Sequence, residues 1–453
     1  MGEKIIIVLL LLCMSIGIVS GPYLWMLSGE REVSGADEET EKTTEQITEE
    51  RSQEETVIDD SMIRVLISNS TLGKYDHKTV TITSKQEYYV KTDSKTEKKK
   101  AGETTTLKYD QKKKGQTVVF SGTGQLEISS IRRAYGIPSY RGILKVHYGS
   151  SALTIINQLL LEEYLYAVIP SEMPVSYGSE ALKVQAVCAR SFAVKQKAGQ
   201  KFRQYGADVD DSVSSQVYNN TRECEESIQA VLDTAGEVLT YKNEIISTYF
   251  FSTSWGHTAD SHDVWIQKGD SPVYLTGKIQ NDSGEALDLS AEEDVKKFLN
   301  SNDEITYDSN FPWYRWKVSI PVSNLSKTTV GSIRDVKVTK RGKSGVAKEL
   351  RITGSGGVRV IQGEYRIRSY LSPEGCSISR ADGSKGSASI LPSGCFYIEK
   401  KGKKLIINGG GYGHGVGMSQ NGAKEQAQDG KTYTDILKFY YSQTEVKDIS
   451  ECE

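Results

Sequence analysis

Glu172 stands between Pro170 and Pro174 in "VIPSEMPVSYGSEALKVQAVCAR", a carboxyl group on a stretch stiffened by two prolines. Proline removes a backbone donor and clashes with the preceding turn, so this corner is not expected to be ordinary helix interior. A carboxyl held there can act first as a general acid and then as a base. A surface glutamate beside a turn has the same local sequence, and composition alone does not separate the two. Lys183 and Arg190 follow on a helical pattern. Seven residues apart, they fall within about 20° of each other on a 3.6-residue wheel, so both cations share one face. Other chemistries find little support. His77, His147, His257, His262 and His414 form no HExxH, and the chain has no G-x-S-x-G elbow, no P-loop and no strict GxGxxG. What remains is carbohydrate-type acid/base chemistry, which needs one or two carboxyl groups in a groove.

A second stretch, "GGGYGHGVGMSQ" at 409–420, puts glycine at every second position from Gly411 to Gly417. In an extended strand these would leave one face bare while Tyr412, His414, Val416 and Met418 crowd the other. Either a sugar ring or another strand of the core could approach the bare side. No P-loop lysine follows to favour phosphate, and no second ligand accompanies His414 to favour a metal.

The elements that must position these residues begin with an apolar run from Ile5 to about Leu27, close to the ~20 residues that cross a bilayer as a helix. It continues through Tyr23, Leu24 and Trp25 without an A-x-A site, so it reads as an uncleaved anchor. Lys4 precedes it and an acidic segment follows, which sets the N-terminus in the cytoplasm and the bulk of this single-pass cell-membrane protein outside. Residues 30–60 hold thirteen Asp or Glu against three Lys or Arg and read as a self-repelling stalk. Removing that segment's −10 from the formal total of −3 leaves +7 on residues 61–453, a mild bias towards anionic surfaces such as cell-wall polymers. No nucleic-acid partner is expected.

From Ile63 to about residue 150, runs such as "TVTITS", "QTVVFS" and "GILKVHYG" predict strands. "LLLEEYLYAVIP" and "GSEALKVQAVCARSFAVKQKAG" predict helices, the second capped by Ser179 and ending at Gly199. Strands are expected again in "YRWKVSIP", "IRDVKVTKR", "KELRITG", "VRVIQGEYRIRSYL", "FYIEK" and "KLIINGG". Two short helices close the chain, one after Ser419 and one in "TYTDILKFYYSQ", where Thr432 and Asp435 have capping-box spacing. The six cysteines show no CxxC, so no metal cluster is written in their spacing. Cys376 and Cys395 bracket a polar loop that a disulfide could close in an oxidising compartment. The expected fold is α+β: a predominantly β-rich ectodomain with a few short helices around the active-site groove, preceded by one N-terminal transmembrane helix. Its expected parts are a cytoplasmic stub and anchor (1–29), the stalk (30–61), a β-rich domain (62–150) and a catalytic domain (151–447).

Several separated blocks, in order, carry a resemblance: "LEEYLYAVIPSEMP", "SEALKVQAVCARSFAV", "SQVYNN", "VLTYKNEIISTYFFSTSWGHTADSHDVW" and "INGGGYGHGVGMSQNGAKEQAQDGKTYTDILKFYYSQTEV". Together they resemble the stage II sporulation protein D family of peptidoglycan enzymes, over roughly residues 62–447. The resemblance implies a membrane-anchored lytic transglycosylase that cuts glycan strands stripped of stem peptides, leaving 1,6-anhydro-muramic acid ends, during engulfment of the forespore. It implies Glu172 as the catalytic acid and base. For substrate binding it implies Lys183, Arg190, Ser252, Ser254, Thr258, Tyr412, His414, Ser419 and Gln420, with the glycine block forming a wall of the glycan groove beside the Glu172 corner. Arg190 either orients substrate or makes a structural ion pair. Asp263 is the one candidate for a second carboxyl. Trp255 stands where many relatives have glycine, and could stack on a sugar or narrow the groove. Some relatives bind zinc with a Cys near the "SQVY" block; here Ser214 and Ser215 stand there, and Cys224 and His257 do not restore the pattern, so neither zinc nor another cofactor is expected. Other membrane proteins of the engulfment machinery are implied as partners. The competing reading is a non-catalytic, peptidoglycan-binding amidase enhancer or scaffold.

Overall fold

A computed structural model describes residues 61–265, 271–301, 305–325 and 330–452. The expected anchor and most of the stalk lie outside them; among the described residues no helix is long and apolar enough to cross a membrane. The described chain is mixed α+β and rich in strand, and it divides into two compact units.

The first unit comprises described residues up to Arg132, then Gly136–Leu161 and Tyr205–Ala207. Its larger sheet runs Met62–Ile67, Leu153–Leu160, Ile143–Tyr148, Thr117–Gly122, Tyr88–Lys91, Thr96–Lys99, each pair antiparallel. A smaller antiparallel sheet orders Thr104–Lys108, Thr79–Ser84, Leu126–Ile128 and Ser139–Tyr140. Strict alternation builds its core: in Ile143–Tyr148 every second residue is buried, including Leu144 and Val146. On its surface, Lys95 and Lys99 both pair with Glu97.

The second unit carries Arg133–Tyr135, Glu162–Gln204 and the described chain from Asp208 onward. Its axis is the helix Ser179–Gly199, against which pack the helices Glu225–Leu232, Gln420–Gln428 and Tyr433–Tyr440 and the strand Glu237–Tyr241. Residues Ala181, Leu182 and Val184 to Ala193 of that helix are all buried, which small alanines at 181, 186, 189 and 193 permit. Ser179 does not cap it: Gly178 holds the N-cap position at φ 92°, with no side-chain cap bond, and Gln200 ends the helix in the left-handed region. The Thr432–Asp435 box forms as its spacing predicts, each side chain reaching the other's backbone N–H.

Farther along, a sheet orders Lys385–Gly386, Ile378–Arg380, Trp316–Pro321, Lys404–Gly409 and Phe396–Lys401. With the antiparallel strands Ile333–Arg341, Ala347–Gly354 and Gly357–Gln362, it shares a core of Trp316, Val318, Ile320, Leu350, Ile352 and Ile407. "VRVIQGEYRIRSYL" is not one strand. It breaks at Gly363, φ 95°, and continues as the helix Glu364–Tyr370, in which Glu364 and Arg368 form a buried pair one turn apart.

Candidate active site

Glu172 is the last residue of the helix Leu161–Glu172, so the corner is helical up to the glutamate, with Pro170 inside the final turns. This corrects the expectation drawn from the two prolines, and the reason is local. Pro170 has no N–H for the carbonyl of Tyr166, four residues back, and the Ser227 hydroxyl donates to that carbonyl instead, at 3.1 Å. Pro174 then marks the stop.

The next residue back, Ser171, fastens a loop against this helix end. Its hydroxyl donates to Ala167 O at 2.7 Å and accepts from the N–H groups of Asn220 and Thr221, both at 3.0 Å. The same loop brings the Val217 N–H to Glu172 Oε1 at 2.6 Å. Only 9% of Glu172 is exposed. Loss of solvent pushes its carboxyl up to about 7, with the Val217 bond pulling weakly the other way. A carboxyl that titrates near neutrality can both give and take a proton.

The long helix presents two unlike faces. Lys183 and Arg190 do share one, but it looks towards the helix Glu225–Leu232 rather than into the Glu172 corner. Lys183 pairs with Asp233 at 3.0 Å and Glu180 at 3.3 Å. Arg190 is fully buried. Its Nε and Nη2 each donate to one oxygen of Glu162 at 2.7 Å, and Nη1 donates to Glu237 O at 2.9 Å. The structural ion pair is therefore the role the fold assigns to Arg190, which has no surface left for a sugar. Gln185, about 200° from Lys183 on the wheel, occupies the opposite face. There the Gln420 amide donates to Glu172 O at 3.0 Å and to Gln185 Oε1 at 3.2 Å. Gln420 is thus brought to the corner across 248 residues. Gln185 went unnoticed in the sequence, although a polar residue on the apolar side of "KVQAVCA" was the available signal.

Ser419 caps the helix Gln420–Gln428 by accepting from the Gly422 N–H, and its hydroxyl donates to Asp308 at 2.5 Å. Asp308 also accepts from the N–H and hydroxyl of Ser254, at 2.9 and 2.7 Å. This fully buried carboxylate ties the "STSWGHT" loop to the cap beside Glu172, and burial lifts it to about 6. Nothing in "YDSNFP" announced it. Ser254 and Thr258, expected to touch sugar, are buried and bonded internally, Thr258 Oγ1 accepting from Lys278 N–H at 3.0 Å. Ser252 is also buried, its hydroxyl 3.1 Å from that of Thr253. They are struts of the loop.

The glycine block is not a strand. Gly411, Gly413, Gly415 and Gly417 all have positive φ, 75° to 118°, and successive N–H groups leave for separate segments: Gly411 to Trp313 O, Tyr412 to Thr253 O, Gly413 to Pro392 O. The flat object that meets the bare backbone is the chain's own Trp255, fully buried. A Cβ on Gly415 would lie 2.5 Å from its ring, and one on Gly413 would lie 2.7 Å from Phe251 Cβ. Trp255 therefore neither stacks on a sugar nor narrows a groove, and these glycines line the core. A valine at Gly413 is accordingly expected to cost stability before activity.

Tyr412 keeps a half-buried ring 4.8 Å from that of Trp313. His414 is caged by Tyr249, Phe251 and Trp265, accepts from Val416 N–H at 3.0 Å, and is held by burial at about 4, hence neutral. Asp263 is bound to Lys348 at 3.0 Å and to the Ser344 hydroxyl at 3.1 Å, a committed ion pair rather than a second acid. Cys376 and Cys395 are free thiols. His257 donates to Thr258 O and accepts from Leu287 N–H, while Cys224 caps the helix Glu225–Leu232. Among the described residues no three His, Cys, Asp or Glu are grouped to hold a metal.

Known proteins extend this picture. A family described as stage II sporulation protein matches residues 149–241, which include Glu172, Gln185 and Arg190. A domain of unknown function matches residues 259–417, which include Asp308 and most of the glycine block. An uncharacterized protein of Brachyspira hyodysenteriae is 30% identical over 316 residues, covering 69% of this chain and 73% of that one. Stage II sporulation protein D of Bacillus subtilis is 29% identical over 310 residues, 65% of this chain and 76% of the relative. The amidase enhancer of Bacillus subtilis is 30% identical over 291 residues, 62% of this chain but 40% of the relative.

Proposed function

The chain belongs to the stage II sporulation protein D family, and on that premise we propose that it is a lytic transglycosylase of peptidoglycan acting in sporulation-related cell-wall remodelling. The observation that carries the reading is the buried Glu172 carboxyl, lifted to about 7 by desolvation and steadied by one N–H. Protonated, it gives its proton to the glycosidic oxygen as the bond from that oxygen to C1 of muramic acid breaks. As carboxylate, it takes the proton of the same sugar's 6-hydroxyl, whose oxygen closes on C1 to form the 1,6-anhydro ring. The proton ledger balances on one residue, so no second carboxyl is required.

Glycan strands, preferentially without stem peptides, are the proposed substrate. The apolar run at 5–27 supports attachment to the membrane with the described units outside the cytoplasm, and other membrane proteins of engulfment are proposed neighbours. A second reading, a glycan binder that assists an amidase, is favoured by the likeness to the amidase enhancer. Full-length protein, wild type and Glu172→Gln, incubated with peptide-free strands distinguishes them by mass spectrometry. Anhydro ends from the wild type alone support the transglycosylase; reducing ends point to hydrolysis; strands left intact by both leave the binder.

A further inference from the structure

On the helix that begins at Gln420, one residue reaches back to the catalytic corner and another reaches outward. Gln420 holds the Glu172 carbonyl. Lys424, one turn later on the same face, sets its ammonium over two rings, 5.7 Å from the centroid of Tyr177 and 4.9 Å from that of Phe311. Tyr177 lies on the short turn just after Pro174, and its hydroxyl donates to Asn421 on the same helix, so the ring is placed from both sides of the corner. All three side chains are partly exposed. Among the described residues the ammonium meets one carboxylate, Glu425 at 3.4 Å, with both side chains about a quarter exposed (23% and 24%). Such a pair is weak and exchangeable, and an ammonium carries three donors.

A cation poised over aromatic faces at the edge of a glycan-cleaving site suits a sugar that is apolar on one face and negatively charged at its rim. Muramic acid is such a sugar. Its ring offers C–H faces to Tyr177 and Phe311, and its 3-O-lactyl group ends in a carboxylate whenever no peptide is attached. When a stem peptide is present, that carbon is an amide and the charge is gone. Resting on the function proposed above, we infer that Lys424, framed by Tyr177 and Phe311, binds the free lactyl carboxylate of muramic acid and so selects stripped strands over peptide-bearing ones. The preference comes from a charge that one substrate carries at the lactyl carbon and the other lacks there, which is discrimination by difference in affinity.

The test measures binding, in a Glu172→Gln background that keeps strands intact, with full-length protein in detergent micelles and fluorescently labelled strands. One probe is peptide-free glycan; the other is the same glycan with its lactyl carboxylates converted to methylamides. The parent should bind the carboxylate form about tenfold more tightly, a preference that Lys424→Met abolishes by weakening that form alone and that Lys424→Arg largely keeps. Equal affinity of the parent for both probes overturns the inference and leaves the proposed function standing. So does a Lys424→Met variant weakened equally towards both, since the lysine then only braces the rings. A parent that binds neither probe overturns the proposed function and this inference together.

Discussion

Glu172 and Asp308 are both carboxyl groups removed from water, yet the fold treats them in opposite ways. Glu172 accepts one short hydrogen bond, from the Val217 backbone N–H, and sits at the end of a helix with no cation among the described residues holding its charge. Asp308 accepts three, from Ser254 N–H, Ser254 hydroxyl and Ser419 hydroxyl. Burial raises both, Asp308 from 3.8 to about 6 and Glu172 from 4.5 to about 7, each against the pull of its hydrogen bonds; the two differ in what those bonds hold together. One is left free to exchange its proton, and the other is spent on joining two segments. A buried acid becomes a reagent when its bonds are few, and a clamp when they are many.

Replacing the reagent should separate the two most sharply. Glu172→Gln keeps the Val217 bond and is expected to lower anhydro-end formation by about 10³-fold, read by mass spectrometry, without loss of folded structure. Asp308→Ala should do the reverse in kind. It strands two hydroxyls and an N–H in the interior and is expected to cost about 3 kcal/mol in urea unfolding, with Asp308→Asn costing less because it still accepts.

The pH dependence sharpens the contrast further. A carboxyl whose folded value lies above its unfolded one favours the folded state most below the unfolded value, and that advantage is lost as pH rises through the folded value. For Glu172 the window runs from 4.5 to about 7. Between pH 5 and 8 the wild type should therefore lose more stability than Glu172→Gln, and activity dependent on the protonated acid should fall above about pH 7. The smallest expected effect is that of Ser254→Ala, which removes one of the three bonds to Asp308 and should cost about 1 kcal/mol in the same unfolding measurement. If that variant matched Asp308→Ala, the clamp would reside in the serine and the comparison would fail.

Much of the local structure was legible. Apolar spacing marked the helix Ser179–Gly199, and Ser419 and Thr432 marked the starts of the last two helices, because caps and periodicity are written within a few residues. The Glu172 corner was legible as a place but not as a conformation: the donor that makes Pro170 tolerable, Ser227, is 61 residues from the carbonyl it serves. The outcomes at Arg190 and at the glycines were out of reach of the sequence for the same reason. The wheel put Arg190 beside Lys183 correctly, yet only the partner Glu162, across the helix pair, decided that it was buried and committed. Alternating glycines called for a close neighbour, and Trp255 supplied it from more than 150 residues away.

From the sequence by itself came most of the helices and strands, the starts of the last two helices at Ser419 and Thr432, the mild basic charge of the described units, and a glutamate set at a stiff corner followed by two cations on one helical face. These are properties of short windows, where propensity, spacing and side-chain type act directly. Tertiary structure alone decided which carboxyl is a free acid and which a clamp, which face of the long helix meets Glu172, and what lies against the bare glycine backbone. Those outcomes depend on burial and on partners brought from far along the chain, and neither exists until the chain has folded.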